Sequence, residues 1–600
     1  MSRLNGGDSA SLPPTGDVVA SGNATNARAQ SPASPDPEKA DTSPAHIMNL
    51  RVLIMLVLVS MGGFIFGYDT GQISGFLEMP DFLRRFSDSS NPKTGGPGVS
   101  NVRSGLIVAL LSIGTLLGCL IAAPIADMFG RKYSITFWNI VFCVGVIVQI
   151  TTTRYWLQIA LGRWVAGLGV GGLSVLTPMY QSETAPRQIR GALVSAYQLF
   201  ITLGILVAYC INFGTEADNS PRSWRLPMGI GFIWPAIMGF GMLFMRESPR
   251  WEYRRGKIDS ARVTIAKVYG VPEDHWEVQR ELREIKEKLD AENAGGKNHP
   301  WYEIFTGPAM TYRTVLGISL QALQQLTGAN FFFYYGTTVF AATGISNSYV
   351  TSMILGGVNF GTTFGGLYVV EHFGRRKSLI TGAIWMFHVF YGELPVFASV
   401  GHFALDPINP QNSPKAGAAM IVFACLFIAG FAMTWGPIVW CIVGEMYPTR
   451  YRAKCMALAT ASNWIWNFLI SFFTPFITAA IDYRYGYVFA GCCALAAATV
   501  YFFVLESQGR SLEEIDTMYV LGVKPWKSSK WRAEDAGGLV NTDEITFTPG
   551  ARGIRKAPGR DMTTGQQVEI LPPPTAQHGI TDVSGTGLVP ESSGARGHHA

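Results

Sequence analysis

The sequence predicts an all-α membrane protein with twelve transmembrane helices arranged in two pseudo-symmetric six-helix bundles. Three observations support this fold class: twelve apolar runs of spanning length, a charged stretch that divides them six and six, and loop motifs that occur once in each half. The apolar runs lie at about 51–75, 104–125, 133–152, 156–178, 191–213, 226–245, 314–342, 350–370, 378–400, 417–443, 455–480 and 486–505.

The stretch between the sixth and seventh runs is dense in Lys, Arg, Glu and Asp at helical spacing, which predicts a soluble helical linker. Both ends of the chain are polar and rich in Pro, Gly and Ser, which is typical of disorder. We therefore divide the chain into a disordered tail (1–49), a first bundle (50–246), the linker (247–313), a second bundle (314–506) and a tail with a short helix followed by disorder (507–600).

Orientation follows from the placement of basic residues. The short loops on the two sides carry similar numbers of Lys and Arg, but basic residues crowd the end of the sixth run. Because basic residues favour the cytoplasmic side, we expect the linker and both termini to be cytoplasmic.

Acidic and basic loop residues repeat in the two halves. The loops after the second, fourth and sixth runs contain Asp127, Arg131, Glu183, Arg190 and Glu247, and those after the eighth, tenth and twelfth contain Glu371, Arg375, Glu445, Arg452 and Glu506. Three motifs recurring at equivalent loops indicate two homologous bundles. Two such bundles around a shared midplane cavity are typical of transporters.

Three amides lie within the seventh run, namely Gln324, Gln325 and Asn330, with Gly328 between them. An amide at membrane depth needs a partner or a wet cavity. An unbroken helix would not place all three on one face, so we expect either a break at Gly328 or a cavity that wraps around the helix. The cluster suits a neutral ligand rich in hydroxyls, because amides both donate and accept. Hydrogen bonding between helices is the alternative.

Further motifs extend this pattern: Gly67-Tyr68-Asp69-Thr70-Gly71, Arg246-Glu247-Ser248-Pro249-Arg250 and Gly436-Pro437 followed by Trp440. With them, the chain from about Leu50 to Tyr519 resembles the sugar porter family of the major facilitator superfamily, and within it the fungal hexose transporters. The resemblance implies the major facilitator fold and a sugar site built from Gln198, Gln324, Gln325, Asn330, Asn359, Trp440 and Asn463.

The same resemblance implies that Tyr334 and Tyr335 close the site from outside. Two positions depart from the family pattern, because Ile205 and Ala432 stand where some relatives have polar residues. Preference for individual sugar hydroxyls is therefore not carried over from the family.

The resemblance also gives Asp69 and Arg163 a role in proton coupling. Paired with Arg163, the Asp69 carboxylate stays ionised, whereas separated and desolvated it would take a proton. A structural ion pair is the alternative. The resemblance further implies a cytoplasmic latch that forms in the outward-facing state and breaks in the inward-facing state, made of Asp127, Arg131, Glu183, Arg190, Glu247, Glu371, Arg375, Glu445 and Arg452. Basic loops that only fix topology are the alternative reading.

These observations predict a multi-pass plasma-membrane transporter of monosaccharides, glucose first among them, that works by facilitated diffusion or proton symport. A transporter-like glucose receptor that signals through its carboxy-terminal tail is the alternative. We find no nucleophile–base pair and no metal-ligand spacing, so we expect no enzymatic activity, metal or cofactor. The net charge of +5 gives no indication of nucleic acid binding. The expected partners are the sugar, protons in the symport case, and the bilayer, with the chain as a monomer.

Overall fold

A computed structural model describes residues 49–90, 96–186, 189–294, 302–307, 309–341, 347–387, 393–405 and 412–532. The predicted disorder of the two tails falls mainly on residues outside these ranges. Within the described ranges the fold is almost wholly helical. The β-structure there is a pair of two-residue strands, β1 (Ser89–Ser90) and β2 (Pro97–Gly98), which pair antiparallel.

The helices fall into three groups along the chain. The first half contains α1 (Leu50–Phe76), α2 (Pro80–Phe86), α3 (Asn101–Phe129), α4 (Arg131–Ile150), α5 (Trp156–Thr184), α6 (Arg190–Thr215), α7 (Arg222–Ile230) and α8 (Ile233–Phe244). The linker contains α9 (Pro249–Arg254), α10 (Ile258–Tyr269), α11 (Trp276–Ala294) and α12 (Glu303–Thr306).

The second half contains α13 (Met310–Leu326), α14 (Ala329–Ala341), α15 (Ser348–His372), α16 (Arg375–Phe387), α17 (Glu393–Ser399), α18 (Pro414–Met433), α19 (Trp435–Glu445), α20 (Thr449–Ile481) and α21 (Tyr485–Phe503). Short helical turns cover Val400–Ala404 and Asp482–Arg484. The chain continues into α22 (Leu512–Val520) and a 3-10 turn at Pro525–Lys530.

Nine helical stretches of the described chain are long and apolar enough to cross a membrane. One of them, Tyr451–Phe503, contains two of the predicted runs. The seventh and ninth predicted runs are not continuous described helices, because α13 and α14 are separate and residues 388–392 lie outside the description. These points account for the difference between nine stretches and twelve predicted runs.

Each half is a bundle of long helices packed along their lengths. In the first half α3 packs against α5 and α1 packs against α6, and in the second half α13 packs against α20 and α16 against α21. Glycines let α3 and α5 approach closely: a Cβ at Gly114 would collide with the carbonyl oxygen of Trp164, and one at Gly118 with that of Leu168. Small residues are a common way of joining helices within a membrane.

The linker helices mark one face of the molecule, which we call the linker face; the opposite end of the bundles is the far face. The Asn49 side chain, at the start of α1, donates to the Val268 carbonyl of α10 at 2.8 Å. The Trp251 indole of α9 donates to the Asp127 carbonyl near the end of α3 at 3.1 Å. The linker therefore lies against the ends of the first-half helices, and α1 runs from the linker face to the far face.

Hydrogen bonds between the two halves lie toward the far face. The Ser74 and Thr337 hydroxyls are 2.9 Å apart, and the Tyr349 hydroxyl donates to the Gly75 carbonyl at 2.9 Å. The Tyr209 hydroxyl donates to the carbonyl of Phe333 at 3.0 Å. The first two bonds join the far end of α1 to α14 and α15, so the far face is closed in this conformation.

Candidate functional site

The amide cluster of the seventh run lies at a break between two helices. Gln324 and Gln325 are in the last turn of α13, and Asn330 is in the first turn of α14. Gly328 separates the helices with a φ of 93°, a left-handed backbone conformation that residues other than glycine rarely adopt. Of the two arrangements expected from the sequence, the structure shows the break at Gly328.

Both the amide nitrogen and the amide oxygen of Gln324 are hydrogen-bonded within the protein. Its amide nitrogen donates to the carbonyls of Trp435 and Gly436 at 2.8 and 2.9 Å, and its oxygen accepts from the Asn463 amide at 2.8 Å. Only 4% of its surface is exposed. The two carbonyls belong to the start of α19, beside a second interruption at Thr434 between α18 and α19. Gln324 thus ties together two broken helices and α20.

Gln325 and Asn330 extend the network into a less buried region. The Gln325 amide nitrogen donates to the Asn463 oxygen at 3.0 Å. The Gln325 oxygen accepts a short hydrogen bond from Asn330 and a longer one, at 3.4 Å, from Asn467. Both Gln325 and Asn330 are half-buried. They therefore present polar edges that a ligand hydroxyl can reach, whereas Gln324 and Asn463 do not.

Two members of this network were missed in the sequence reading. Asn467 accepts hydrogen bonds from the Tyr334 hydroxyl at 3.2 Å and from the Ser112 hydroxyl of the first half at 2.8 Å. Gln321 accepts from the Asn463 amide at 2.6 Å. The spacing between Asn463 and Asn467 was an available signal, because residues four apart lie on one helix face.

Three further predicted site residues lie outside this network. Gln198 is half-buried on α6, Asn359 is buried on α15, and Trp440 is 36% exposed on α19. Within the described part of the chain, no side-chain hydrogen bond joins any of them to the amide cluster.

The two predicted gate tyrosines are buried within the second half. The Tyr334 hydroxyl donates to Asn467, and the Tyr335 hydroxyl donates to the Ser471 carbonyl at 2.7 Å. Both bonds join α14 to α20. These tyrosines therefore hold α14 in place above the amide cluster on the side of the closed far face.

Asp69 and Arg163 are adjacent and fully buried between α1 and α5. One carboxylate oxygen of Asp69 is 3.5 Å from a guanidinium nitrogen of Arg163, and both side chains have 0% exposure. The other carboxylate oxygen accepts from Gln72 at 2.8 Å. The pair predicted from the sequence is therefore formed. Separating it without new partners would leave two buried charges uncompensated, which is costly.

The repeated loop motifs form two equivalent clusters, one in each half. In the first half Arg131 makes a bidentate ion pair with Glu183, at 2.9 and 3.1 Å, and a third bond to Asp127 at 3.0 Å. Glu247 accepts the backbone N–H of Arg131 at 2.8 Å, and the Ser248 hydroxyl bonds Glu183. Burial raises the pKa of the Glu247 carboxyl, although these backbone N–H bonds act in the opposite direction.

The second half repeats this arrangement with a different sequence. Arg375 pairs with Glu445 at 3.3 Å, and the Ser507 hydroxyl donates to Glu445 at 2.6 Å. Glu506 accepts the backbone N–H of Arg375 at 2.8 Å, as Glu247 does for Arg131. Glu506 belongs to the sequence repeat but is not among the predicted latch residues.

The other predicted latch residues are Glu371, Arg452 and Arg190, of which Glu371 differs from its counterpart Asp127. The side chain of Glu371 is exposed, and its backbone carbonyl accepts from Gln508 at 2.9 Å. Arg452 donates to the carbonyl of Tyr447 at 3.1 and 3.3 Å. The side chain of Arg190 lies outside the described part of the structure.

Both clusters are internal to their half, and both are intact while the far face is closed. Closing the far face therefore does not require the Arg131–Glu183 or Arg375–Glu445 pairs to break. The expectation that these pairs separate in one transport state stays a prediction.

Comparison with known proteins gives consistent matches over the helical core. Residues 55–519 match the family described as Sugar (and other) transporter. The chain is 47% identical over 487 residues to the High-affinity fructose transporter ght6 of Schizosaccharomyces pombe, covering 81% of this chain and 90% of that protein. It is 48% identical over 501 residues to the Low-affinity glucose transporter HXT1 of Saccharomyces cerevisiae, covering 83% and 86% respectively.

Solved structures match as well. The proton:xylose symporter XylE from the major facilitator superfamily, bound to 6-bromo-6-deoxy-D-glucose, matches with a TM-score of 0.64 and 26% identity. The match covers 78% of this chain and 99% of the solved chain.

Proposed function

Since the chain belongs to the sugar transporter family and has the major facilitator fold, we propose that it carries hexoses, glucose first among them, by alternating access. The observation that carries the proposal is the amide cluster at the α13–α14 break, which offers polar edges to a neutral polyhydroxy ligand at membrane depth. The family also confirms the prediction that the chain is a multi-pass membrane protein and not an enzyme.

The proposed sugar contacts include the less buried amides of the network. Gln325 and Asn330 are the half-buried members of the network, so they bind sugar hydroxyls. Gln198 adds a contact from α6, and Trp440 packs against the sugar ring. Asn359 is 2% exposed on α15, which packs against α6, so it reaches the sugar only when these two helices move apart. Gln324 and Asn463 act from behind, by holding α13, α19 and α20 in register.

For coupling, we propose facilitated or weakly coupled transport. The curated relatives described above are named as glucose and fructose transporters, whereas the matching solved structure is named as a proton symporter. Asp69 and Arg163 are positioned for either mechanism, because they form a fully buried pair, 3.5 Å apart, between two helices of the first half.

For placement, we propose the plasma membrane, with the linker face in the cytoplasm. Arg131 lies on the linker face beside basic linker residues, because its partner Asp127 is also 3.7 Å from Arg254 and accepts from Arg255 through its carbonyl at 2.9 Å. Basic residues favour the cytoplasmic side. The conformation described here is then closed toward the outside. Fluorescent tags at each terminus, tested for quenching by an impermeant quencher outside intact cells, check the orientation; quenching of either tag would contradict it.

Uptake of labelled glucose and fructose by cells that lack their own hexose carriers tests the proposal directly. Saturable uptake that requires the chain supports it. The Asn330→Ala variant serves as a matched control, because it removes one site amide and should reach the membrane. Negligible uptake of every hexose by wild-type protein at the cell surface would refute the proposal.

No observation favours the receptor alternative. The tail from Ser507 to Arg532 packs onto the second half, since Arg313 pairs with Asp516 at 2.5 Å and Glu506 bonds Ser528 at 2.9 Å. A truncated chain that tests the receptor alternative should therefore end at Arg532, so that these contacts remain. We expect this truncated chain to retain its uptake. If neither the full nor the truncated chain transports sugar, and truncation abolishes glucose-induced gene expression, the protein is instead a receptor.

A further inference from the structure

A basic, aromatic groove on the linker face has no part in the proposed transport cycle. It follows α22, is an open depression with a volume of about 590 Å³, and is lined by Val523, Lys524, Trp526, Lys527, Lys530 and Trp531. The three lysines are exposed, and so is the neighbouring Arg532. Trp526 leaves 48% of its surface exposed. We call this feature the basic groove.

Hydrogen bonds fix the basic groove to the end of a membrane span. The Ser528 hydroxyl accepts the backbone N–H of Glu506 at 2.9 Å and donates to the Pro525 carbonyl at 2.6 Å. Arg510 donates to the Ser528 carbonyl at 2.7 Å and lies over the Trp531 ring at 5.6 Å. The groove is therefore a built surface and not part of a loose tail.

The positive charge of the groove is not compensated within the described chain. Two described acids of this segment are already engaged, because Glu506 accepts backbone N–H groups of the Arg375 loop and Asp516 pairs with Arg313. Among the described residues, no ion pair involves Lys524, Lys527 or Lys530. Three like charges held around one concave surface repel each other, and an anion in the groove would relieve that repulsion.

The position of the groove relative to the bilayer indicates what kind of anion it binds. Glu506, which anchors Ser528, comes three residues after Phe503, the last residue of α21. The Phe503 side chain is 47% exposed at the end of this apolar span, and the 3-10 turn packs against α21. Tryptophan with flanking basic residues is typical of the membrane–water interface, where lipid phosphates lie.

We propose that the basic groove binds the phosphate-bearing headgroup of an anionic lipid in the leaflet at the linker face. The lysines neutralise the phosphates, and the exposed Trp526 ring lies at the headgroup level. This site is separate from the sugar site and does not depend on which sugar is carried.

Binding of a soluble short-chain phosphatidylinositol bisphosphate to the purified full chain in detergent tests the proposal. The Lys524, Lys527 and Lys530→Gln triple variant is compared with a matched triple, Lys257, Lys267 and Lys286→Gln, on exposed linker positions. Each lysine near an anionic surface is worth roughly fivefold in affinity, so the groove variant should bind at least about tenfold more weakly. The linker variant should bind as the wild type does, and both should transport sugar normally.

Further arms separate the sources of the anion. Inositol phosphate without acyl chains should bind more weakly than the lipid; equal affinity would overturn the assignment to a lipid. Equal losses in the two triple variants would show that overall charge, and not the groove, binds the lipid, and would also overturn it. If the groove triple variant fails to fold, Lys527→Gln alone should give a loss of roughly fivefold, and unchanged affinity would refute the proposal.

Discussion

Replacing Gln324 by Leu separates a structural role from direct sugar binding. The substitution removes two hydrogen bonds donated to the carbonyls of Trp435 and Gly436 and one accepted from Asn463. At about 1 kcal/mol net for each bond, the loss is about 3 kcal/mol. For a bundle of this size each kcal/mol lowers Tm by roughly 2–4 °C, so we expect a fall of at least about 6 °C.

The assay is thermal unfolding of the purified full chain in detergent, with and without glucose. Asn330→Ala is the matched control, because it removes one hydrogen bond at the exposed edge of the same network. We expect the control to lose roughly 2–4 °C in Tm without sugar, for one hydrogen bond, and to bind glucose about tenfold more weakly, which corresponds to 1.4 kcal/mol. A Gln324→Leu variant with unchanged Tm and lost sugar affinity would refute this assignment and make Gln324 a direct ligand.

Three other predictions follow from single sites. Asp69→Asn should leave downhill uptake in place, and sugar-induced alkalinisation seen in the wild type but absent in this variant would contradict facilitated transport. Gly328→Ala should sharply reduce the yield of folded protein in size-exclusion chromatography, because φ is 93° and a Cβ would meet the Phe489 ring, whereas Gly336→Ala should fold normally. Burial acts to raise the pKa of Asp81, but hydrogen bonds and charges from Arg85 and its neighbours outweigh it and lower the pKa. Asp81 therefore stabilises the fold fully above the pKa of about 3.9 that it has in the unfolded chain, and this stabilisation is lost as the pH falls through the lower pKa of the folded state. If the Tm of Asp81→Asn falls with pH as much as the Tm of the wild type, this prediction is contradicted.

Much of the fold could be predicted because its signals are local. Apolar length gives the spans, and the acidic and basic loop residues repeat in each half. The Gly328 break was also within reach, because a glycine among amides at membrane depth indicates backbone that departs from a regular helix. The seventh run nevertheless reads as one continuous stretch, and only the structure shows it as α13 and α14.

The partners in the site could not be predicted, because they depend on how distant helices are rotated against each other. Gln324 bonds carbonyls that become available beside Thr434, within a run that looks uninterrupted in sequence. The bond from Ser112 to Asn467 joins helices from opposite halves. Residue types alone suggested that Gln324 and Gln325 are equivalent, whereas burial distinguishes the tied amide from the accessible one.

The two loop clusters show the same limit. The repeat predicted that Arg131 and Arg375 meet carboxylates, and the structure shows both pairs. It did not predict that each cluster stays within its own half, nor that Glu371 would be exposed where Asp127 bonds Arg131. These differences depend on the packing of the helix ends and not on the motif.

The most direct test of hexose transport is the entry of labelled D-glucose and L-glucose into liposomes that contain only the purified chain. We expect saturable D-glucose uptake that stops at equilibrium, with L-glucose entering no faster than it enters empty liposomes. Entry of the two enantiomers at the same rate, or no D-glucose uptake by folded protein, would contradict the proposal.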